Sequence, residues 1–293
     1  MAIEDPAPRA ISQDEVRATA ETSRTFSGML FPATLALEGI DFTENRFERC
    51  LFRVPAIRSV DFSGSAFQNC TFEPTRFASC KLANTRFHGC ALFDLKQKKG
   101  CTFAFCDIQS AEAVQCNFAT SSFERCDLYN VRSVECSFRG ARFRHSTFSK
   151  ALSRRSTLTK AAFDKCNFSF ADLSGLQLQS CEFLSCKFSE ACFIDTDLSN
   201  ATMLACALDR AEWDRAKLRQ ADLRGSQISG LNLAVLSDYA GLSISESEQS
   251  EFSGNWVSSC VLNRAQSALL SSRPETKRQE SVASRKGRQQ EQP

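Results

Sequence analysis

From Leu37 to Leu233 a large apolar residue returns at every fifth position, a period that few backbones can satisfy. The series opens Phe42, Phe47, Phe52, Ile57, Phe62, Phe67, and continues to Leu92; after one slip in phase it resumes at Phe103 and runs to Leu233. Of its 39 positions, 36 are Phe, Leu, Ile, Met or Trp, the exceptions being Ala113, Ser133 and Ser153, and 19 of the 25 Phe residues fall in it. Occupancy this dense marks a structural repeat.

A second register lies two residues upstream and is mostly small, as in Ala171, Ala221, Ser156 and Cys116; it holds 13 of the 15 cysteines, all but Cys192 and Cys260. A period of five fits neither a helix of 3.6 residues per turn nor a heptad. Positions two apart do share one face of an extended strand. A very short strand, then a corner, would turn both residues of each unit inward, and such units bury their apolar faces only by stacking on one another.

The unit "small, Asp, Leu, two polar" stands in the chain as Ala171-Asp172-Leu173-Ser174-Gly175 and Ala221-Asp222-Leu223-Arg224-Gly225. It resembles the pentapeptide-repeat family. The resemblance implies an all-β solenoid: a right-handed quadrilateral β-helix with four pentapeptides per coil, here about ten coils with short terminal capping helices. At the inter-strand spacing that is a rod of roughly 45–50 Å. The alternation Phe47-Glu48-Arg49-Cys50 and Phe67-Gln68-Asn69-Cys70 resembles the Cys-rich, quinolone-resistance branch of that family.

The organisation expected is a leader and capping helix over 1–36, the repeat over 37–236, a partly helical C-terminal cap over 237–270, and a basic, disordered tail over 271–293. Residues 1–10 read as disordered. Ser12-Gln13-Asp14-Glu15 is a capping box opening a helix to about Thr25, with Phe26, Met29, Leu30 and Phe31 covering the first coil. Ser245-Glu246-Ser247-Glu248 opens a second helix, with Phe252 and Trp256 on its apolar stripe. The resemblance makes these two candidate cap and dimer contacts.

If four units make a coil, residues 20 apart stack. That places Cys106, Cys126, Cys166, Cys186 and Cys206 in one column with Ser146 in the gap, and Cys50, Cys70 and Cys90 in another. They read as small core residues. No disulfide, metal or cofactor is expected: thiols inside a narrow coil leave no tetrahedral site, and only His88 and His145 could assist. Stacked free thiols suit a reducing compartment, so the cytoplasm is expected. No basic-then-apolar secretory signal opens the sequence, although secretion without one stays open.

Between Leu92 and Phe103 the phase slips by one residue, the size of a bulge, in a segment holding Lys96, Lys98 and Lys99. These three lysines are the candidate partner-binding bulge. From Phe103 to Leu233 the phase holds, which reads as 27 uninterrupted repeats. Arg139, Arg142, Arg144, Arg154 and Arg155 form a candidate basic patch.

With two histidines, no glycine-rich phosphate loop and a filled interior, no catalytic constellation is expected. The net charge of +2 gives no global field for nucleic acid or membrane. The function that follows is a non-catalytic protein–protein interaction scaffold of a bacterium, an effector or adaptor. The alternative, implied by the resemblance, is a DNA gyrase or topoisomerase-binding protein that protects against quinolone-type inhibitors. In those relatives projecting loops matter, and mimicry of DNA needs a continuous acidic face.

Overall fold

A computed structural model describes residues 8–153 and 156–245. Within them the chain winds as a parallel β-solenoid of about ten coils with four faces, the pentapeptide-repeat β-helix that the resemblance implies. In each unit the fifth-position residue and the small residue two before it point inward, and the residues between and after them face solvent. Positive φ, between 50° and 61°, recurs at 27 of the described non-glycine residues, nearly all at the corners that follow, such as Arg49, Asn69 and Asn130. That conformation costs an L-residue roughly 1–2 kcal/mol, which the ladder on either side offsets.

The first face carries Phe52, Phe72, Leu92, Phe118, Phe138 and Phe168; the second Ile57, Phe77, Phe103, Phe123 and Phe143. On the third are Phe62, Leu82, Ile108, Leu128 and Phe148, and on the fourth Phe47, Phe67, Phe87, Ala113, Ser133 and Phe163. Parallel main-chain bonds join each coil to the next, so the rings stack face to face. Phe31, Phe52 and Phe72 lie 4.3 and 4.4 Å apart, and Phe77, Phe103 and Phe123 lie 4.7 and 5.0 Å apart. Full burial of each ring contributes about 1.5–3 kcal/mol.

Several expectations need correction. The ladder begins before Leu37: Phe26 stacks 4.9 Å from Phe47 and Phe31 on Phe52, so both are rungs and not parts of a cap. The helix spans Gln13–Glu21, ending short of Thr25, and Arg9–Ala10, read as disordered, pairs with Met29–Leu30. At the other end Leu233 sits in a short 3-10 turn, and the ladder continues past it through Asp238 and Ser243. The helix proposed from Ser245, the tail over 271–293, and Phe252 and Trp256 lie outside the described residues.

The larger correction concerns the insertions. Arg76 pairs with Thr102 and Thr102 with Ser122, so the step of 20 becomes 26 once. The one-residue slip is therefore a six-residue excess, taken up by an antiparallel hairpin in which Phe93–Asp94 pairs with Lys99–Gly100. Further on, Val131 pairs with Ala161 and Arg142 with Asp172, a step of 30. Ten extra residues leave as a second hairpin, Ser149–Ser153 against Ser156–Thr159. Ten is a multiple of five, so the phase survives and hides the departure. Leu158, read as a core residue, is 41% exposed.

The second hairpin also reassigns the cysteines. Ten residues are half a coil, so Cys166 stacks on Cys136 and not on Ser146. One column runs through Cys50, Cys70, Cys90, Cys116, Cys136, Cys166, Cys186 and Cys206; the other, Cys80, Cys106 and Cys126, ends at Ser146. Most of these thiols donate to the main-chain oxygen of a ring residue one coil back, as Cys70 does to Phe47 and Cys90 to Phe67, both at 3.4 Å. Burial pushes the Cys101 and Cys181 thiols up to about 12. The filled interior expected has one shortfall: Ala113 and Ser133, stacked on the fourth face, leave an apolar cavity of about 50 Å³ among Phe87, Phe118, Phe138 and Phe163.

At the N-terminal end the capping box forms. The Ser12 hydroxyl accepts from Glu15 N at 3.3 Å, and Glu15 accepts from Ser12 N and from Arg9, both at 2.9 Å.

This packing can be tested in two ways. Thirteen of the fourteen described thiols are buried. In a Cys260→Ser variant, native titration with DTNB should label Cys192 promptly and the rest only in denaturant; rapid labelling of several thiols would contradict the column. The other test uses acid. Hydrogen bonds from Ser12 and Arg9 lower the Glu15 carboxyl from 4.5 to about 2. Because the folded value is the lower one, the cap is stabilised fully above 4.5 and loses this as pH falls toward 2. Helical protection at Gln13–Glu21 should fade over that window and show no such dependence in Glu15→Gln.

Candidate functional site

Where the corners carry only two outward residues, the coil offers a plain surface. The two hairpins are the departures from it among the described residues. The first leaves after Leu92, between the first and second faces. The second leaves after Phe148, between the third and fourth. They therefore project from diagonally opposite corners, about two coils apart, on the order of 10 Å along the axis.

The first hairpin is closed by Asp94, whose Oδ1 accepts from Lys96 N at 2.7 Å and Gln97 N at 3.2 Å, holding its carboxyl below the usual range. Lys98 takes positive φ in the turn, and Leu95 at its tip is 80% exposed. Lys96, Lys98 and Lys99 are exposed and, among the described residues, have no ion-pair partner. The sequence thus places all three on a projecting hairpin where a bulge was expected. Its root is anchored by Gly100, whose N–H donates to Thr120 Oγ1 at 2.8 Å. A Cβ there would lie 2.4 Å from Ala119 O and 2.6 Å from Ser121 N, so only glycine allows this close approach.

The second hairpin is rooted by Lys160 N donating to Phe148 O at 3.0 Å and Asn130 N donating to Lys160 O at 2.7 Å. Its strands are joined by the Ser149 and Thr159 hydroxyls, 2.6 Å apart. Leu152 is exposed, and Lys150 Nζ lies 5.7 Å from the Tyr129 ring centre. Arg154 and Arg155 lie outside the described residues.

The remaining members of the basic patch do come together. Arg142 and Arg144 flank Phe143 on the second face, and Arg139 sits on the neighbouring corner, its guanidinium 4.6 Å over the exposed Phe170 ring. One coil away Arg125 lies 5.5 Å over Phe105. A reading by register passes over Arg125, Phe105 and Phe170, although aromatic residues at corner positions were the available signal. Arginine over an exposed ring gains about 0.5–1 kcal/mol and holds both groups in place.

Elsewhere charges of opposite sign meet between coils. Arg53 pairs with Glu73 at 2.8 Å, Lys81 with Asp61 at 3.1 Å, and Arg215 with Asp195 through two bonds, the longer 2.6 Å. On the third face Asp41 and Asp61 are followed by Lys81, then Asp107 and Asp127 by Thr147. No acidic column among the described residues on that face runs beyond two coils. The described residues hold no cluster of three or more His, Cys, Asp or Glu that could bind a metal, and no helix long and apolar enough to cross a membrane.

These geometries agree with the sequence comparisons. A pentapeptide repeat region profile matches residues 156–233, and the eight-copy pentapeptide repeat profile matches 136–169. The five-residue register, the four-faced coil and these matches make the chain a pentapeptide-repeat protein. Its solenoid resembles that of full-length QnrB1, a plasmid-mediated fluoroquinolone resistance protein, with TM-score 0.61 and 22% identity over 67% of this chain and 94% of that one. It is also similar to HetL, a pentapeptide-repeat protein involved in heterocyst differentiation regulation in the cyanobacterium Nostoc, with TM-score 0.53 and 15% identity over 79% and 96%. No curated protein matches the sequence.

Gly100→Ala should destabilise the protein by about 1–3 kcal/mol and loosen the first hairpin, because its Cβ meets main chain on two sides. Hydrogen exchange should show lost protection at Lys99 and Gly100 with the fourth-face strands unchanged. An unaltered hairpin would show that Ala119 and Ser121 yield easily.

Proposed function

We propose that this chain is a non-catalytic scaffold that holds a protein partner through its two hairpins. The observation that carries this reading is the pair of antiparallel hairpins on a rigid, regular coil. One presents three lysines, without ion-pair partners among the described residues, beside exposed Leu95; the other presents Leu152. A rigid frame limits the conformational entropy lost on binding, so short segments suffice for recognition. The thirteen buried free thiols support a reducing compartment, and with it the bacterial cytoplasm.

A second reading, protection of a topoisomerase such as DNA gyrase, is favoured by the hairpins themselves. The quinolone-resistance branch that the chain resembles acts in part through projecting loops, and here two such segments stand where the sequence suggested one small bulge. Charge speaks for a loop-based contact over mimicry of DNA, since Lys81 and Thr147 interrupt the acids along the third face.

Affinity purification should recover a partner that is weakened at least about tenfold by Lys96→Ala, Lys98→Ala and Lys99→Ala together. A partner indifferent to both hairpins would reject this site. For the second reading, the protein is titrated into a gyrase reaction containing ciprofloxacin. Protection from drug-stabilised cleavage, lost in the triple variant, is the expected result; no protection at any concentration excludes it.

A further inference from the structure

The ladder that joins successive coils is continuous across the second hairpin on the first, second and fourth faces and broken on the third. Ser137 pairs with Asn167, Arg142 with Asp172 and Val131 with Ala161, yet Thr147 has no bridge to Gln177. Elsewhere on this face the pattern is regular: Phe62 N donates to Lys81 O at 2.7 Å and Lys81 N to Val60 O at 3.0 Å. The corresponding groups at the break are Phe148 N–H and Ser146 C=O on one coil and both main-chain groups of Gln177 on the next. None of the four has a main-chain partner among the described residues. The hairpin overhangs this break and encloses a cleft of about 480 Å³, lined by Thr147, Thr157, Leu158, Gln177, Gln179 and Ser180 among others, with no charged residue among the described residues of its wall.

We propose that this cleft takes a short, extended, uncharged segment of a protein partner, which pairs with the free main-chain groups and completes the third face. The inference rests on the scaffold reading above and specifies where and how a partner is held. The free groups are of both kinds, a donor and an acceptor on each side, which is what one strand residue requires of its neighbours. Hydroxyls and carboxamides surround them: Ser149 and Thr159 are already bonded to each other, and Gln179 Nε2 donates to Gln177 Oε1 at 2.7 Å, so the wall is preformed. An anionic ligand has no cation among the described residues of the wall to meet it. A saccharide has no ring there to stack on, since Tyr129 is covered by Lys150 outside the cleft. A peptide backbone satisfies both the main-chain groups and the neutral wall.

Two measurements test this. In the free full-length protein, hydrogen exchange at Phe148 and Gln177 should be at least about a hundredfold faster than at Leu128 and Asp197, their bonded equivalents. A displayed library of uncharged seven-residue peptides should then yield binders that slow exchange at these two amides. Their affinity should fall at least about tenfold with Thr157→Trp, which fills the cleft from the hairpin, and with N-methylation of the central peptide residue. Lys96→Ala, Lys98→Ala and Lys99→Ala should leave it unchanged. Full protection of both amides in the free protein overturns the proposal, as does a library without binders or binders indifferent to Thr157→Trp. Displacement of the peptides by maltohexaose would reassign the cleft to saccharides and overturn it as well. A partner captured through the lysine hairpin by a protein that binds no peptide would keep the scaffold reading and reject this one.

Discussion

The parallel main-chain ladder between coils is the constraint on which everything else in this molecule depends. Because a residue bonds to the one a full coil away, whatever occupies a position must tolerate its like directly above and below. Phenylalanine does so by offset stacking, and most of the stacked cysteines by donating a hydrogen bond to a carbonyl one coil back. Aspartate on the outer positions often does so beside a partner such as Lys81 or a main-chain N–H such as that of Thr43. The same constraint forces a corner every five residues into a conformation most side chains avoid. Arg49, Glu135 and even Phe170 accept it because the flanking strands are fixed on both sides.

Sequence periodicity exposes this architecture because the ladder writes itself into the chain at a fixed interval, and most of the rungs from Phe42 to Ile228 are legible without coordinates. The hairpins are less so. Six residues are one more than a pentad, so the first hairpin leaves a slip between Leu92 and Phe103, although its size cannot be told from any other insertion one residue beyond a multiple of five. The second, being two pentads long, leaves the phase untouched and draws Ser153 and Leu158 into a register they do not share. The cost falls on the stacking arithmetic, which puts Cys166 in one column with Ser146 when half a coil separates them. Phe93, Phe105 and Phe170, all outside the register, mark a hairpin root and two arginine-covered corners, and are the residues to follow.

The regions with something to offer a partner are therefore those where the repeat is interrupted or decorated, and each has a local physical cause. Gly100 lets one hairpin press against the next coil; the hydroxyls of Ser149 and Thr159 hold the other together. Arg125 and Arg139 lie over exposed rings in place of carboxylates, so their charge stays available. By contrast the small cavity beside Ala113 and Ser133 is lined mostly by apolar side chains, Phe rings among them, and reflects two register positions where a ring is absent from the stack.

Both hairpins re-enter the coil through a hydrogen bond to the carbonyl of the last register residue before departure: Cys101 to Leu92 O and Lys160 to Phe148 O, each at 3.0 Å. Many ordinary corners are closed by a bond to the same kind of acceptor, as from Asn45 to Phe42 O at 3.0 Å. Such a corner is thus a socket whose acceptor is the same whether two residues or many follow it. The molecule is in that sense a mounting frame, able to display loops of unrelated length and chemistry at chosen heights and on chosen edges, and foreign recognition loops grafted at its plain corners would inherit a defined position and spacing.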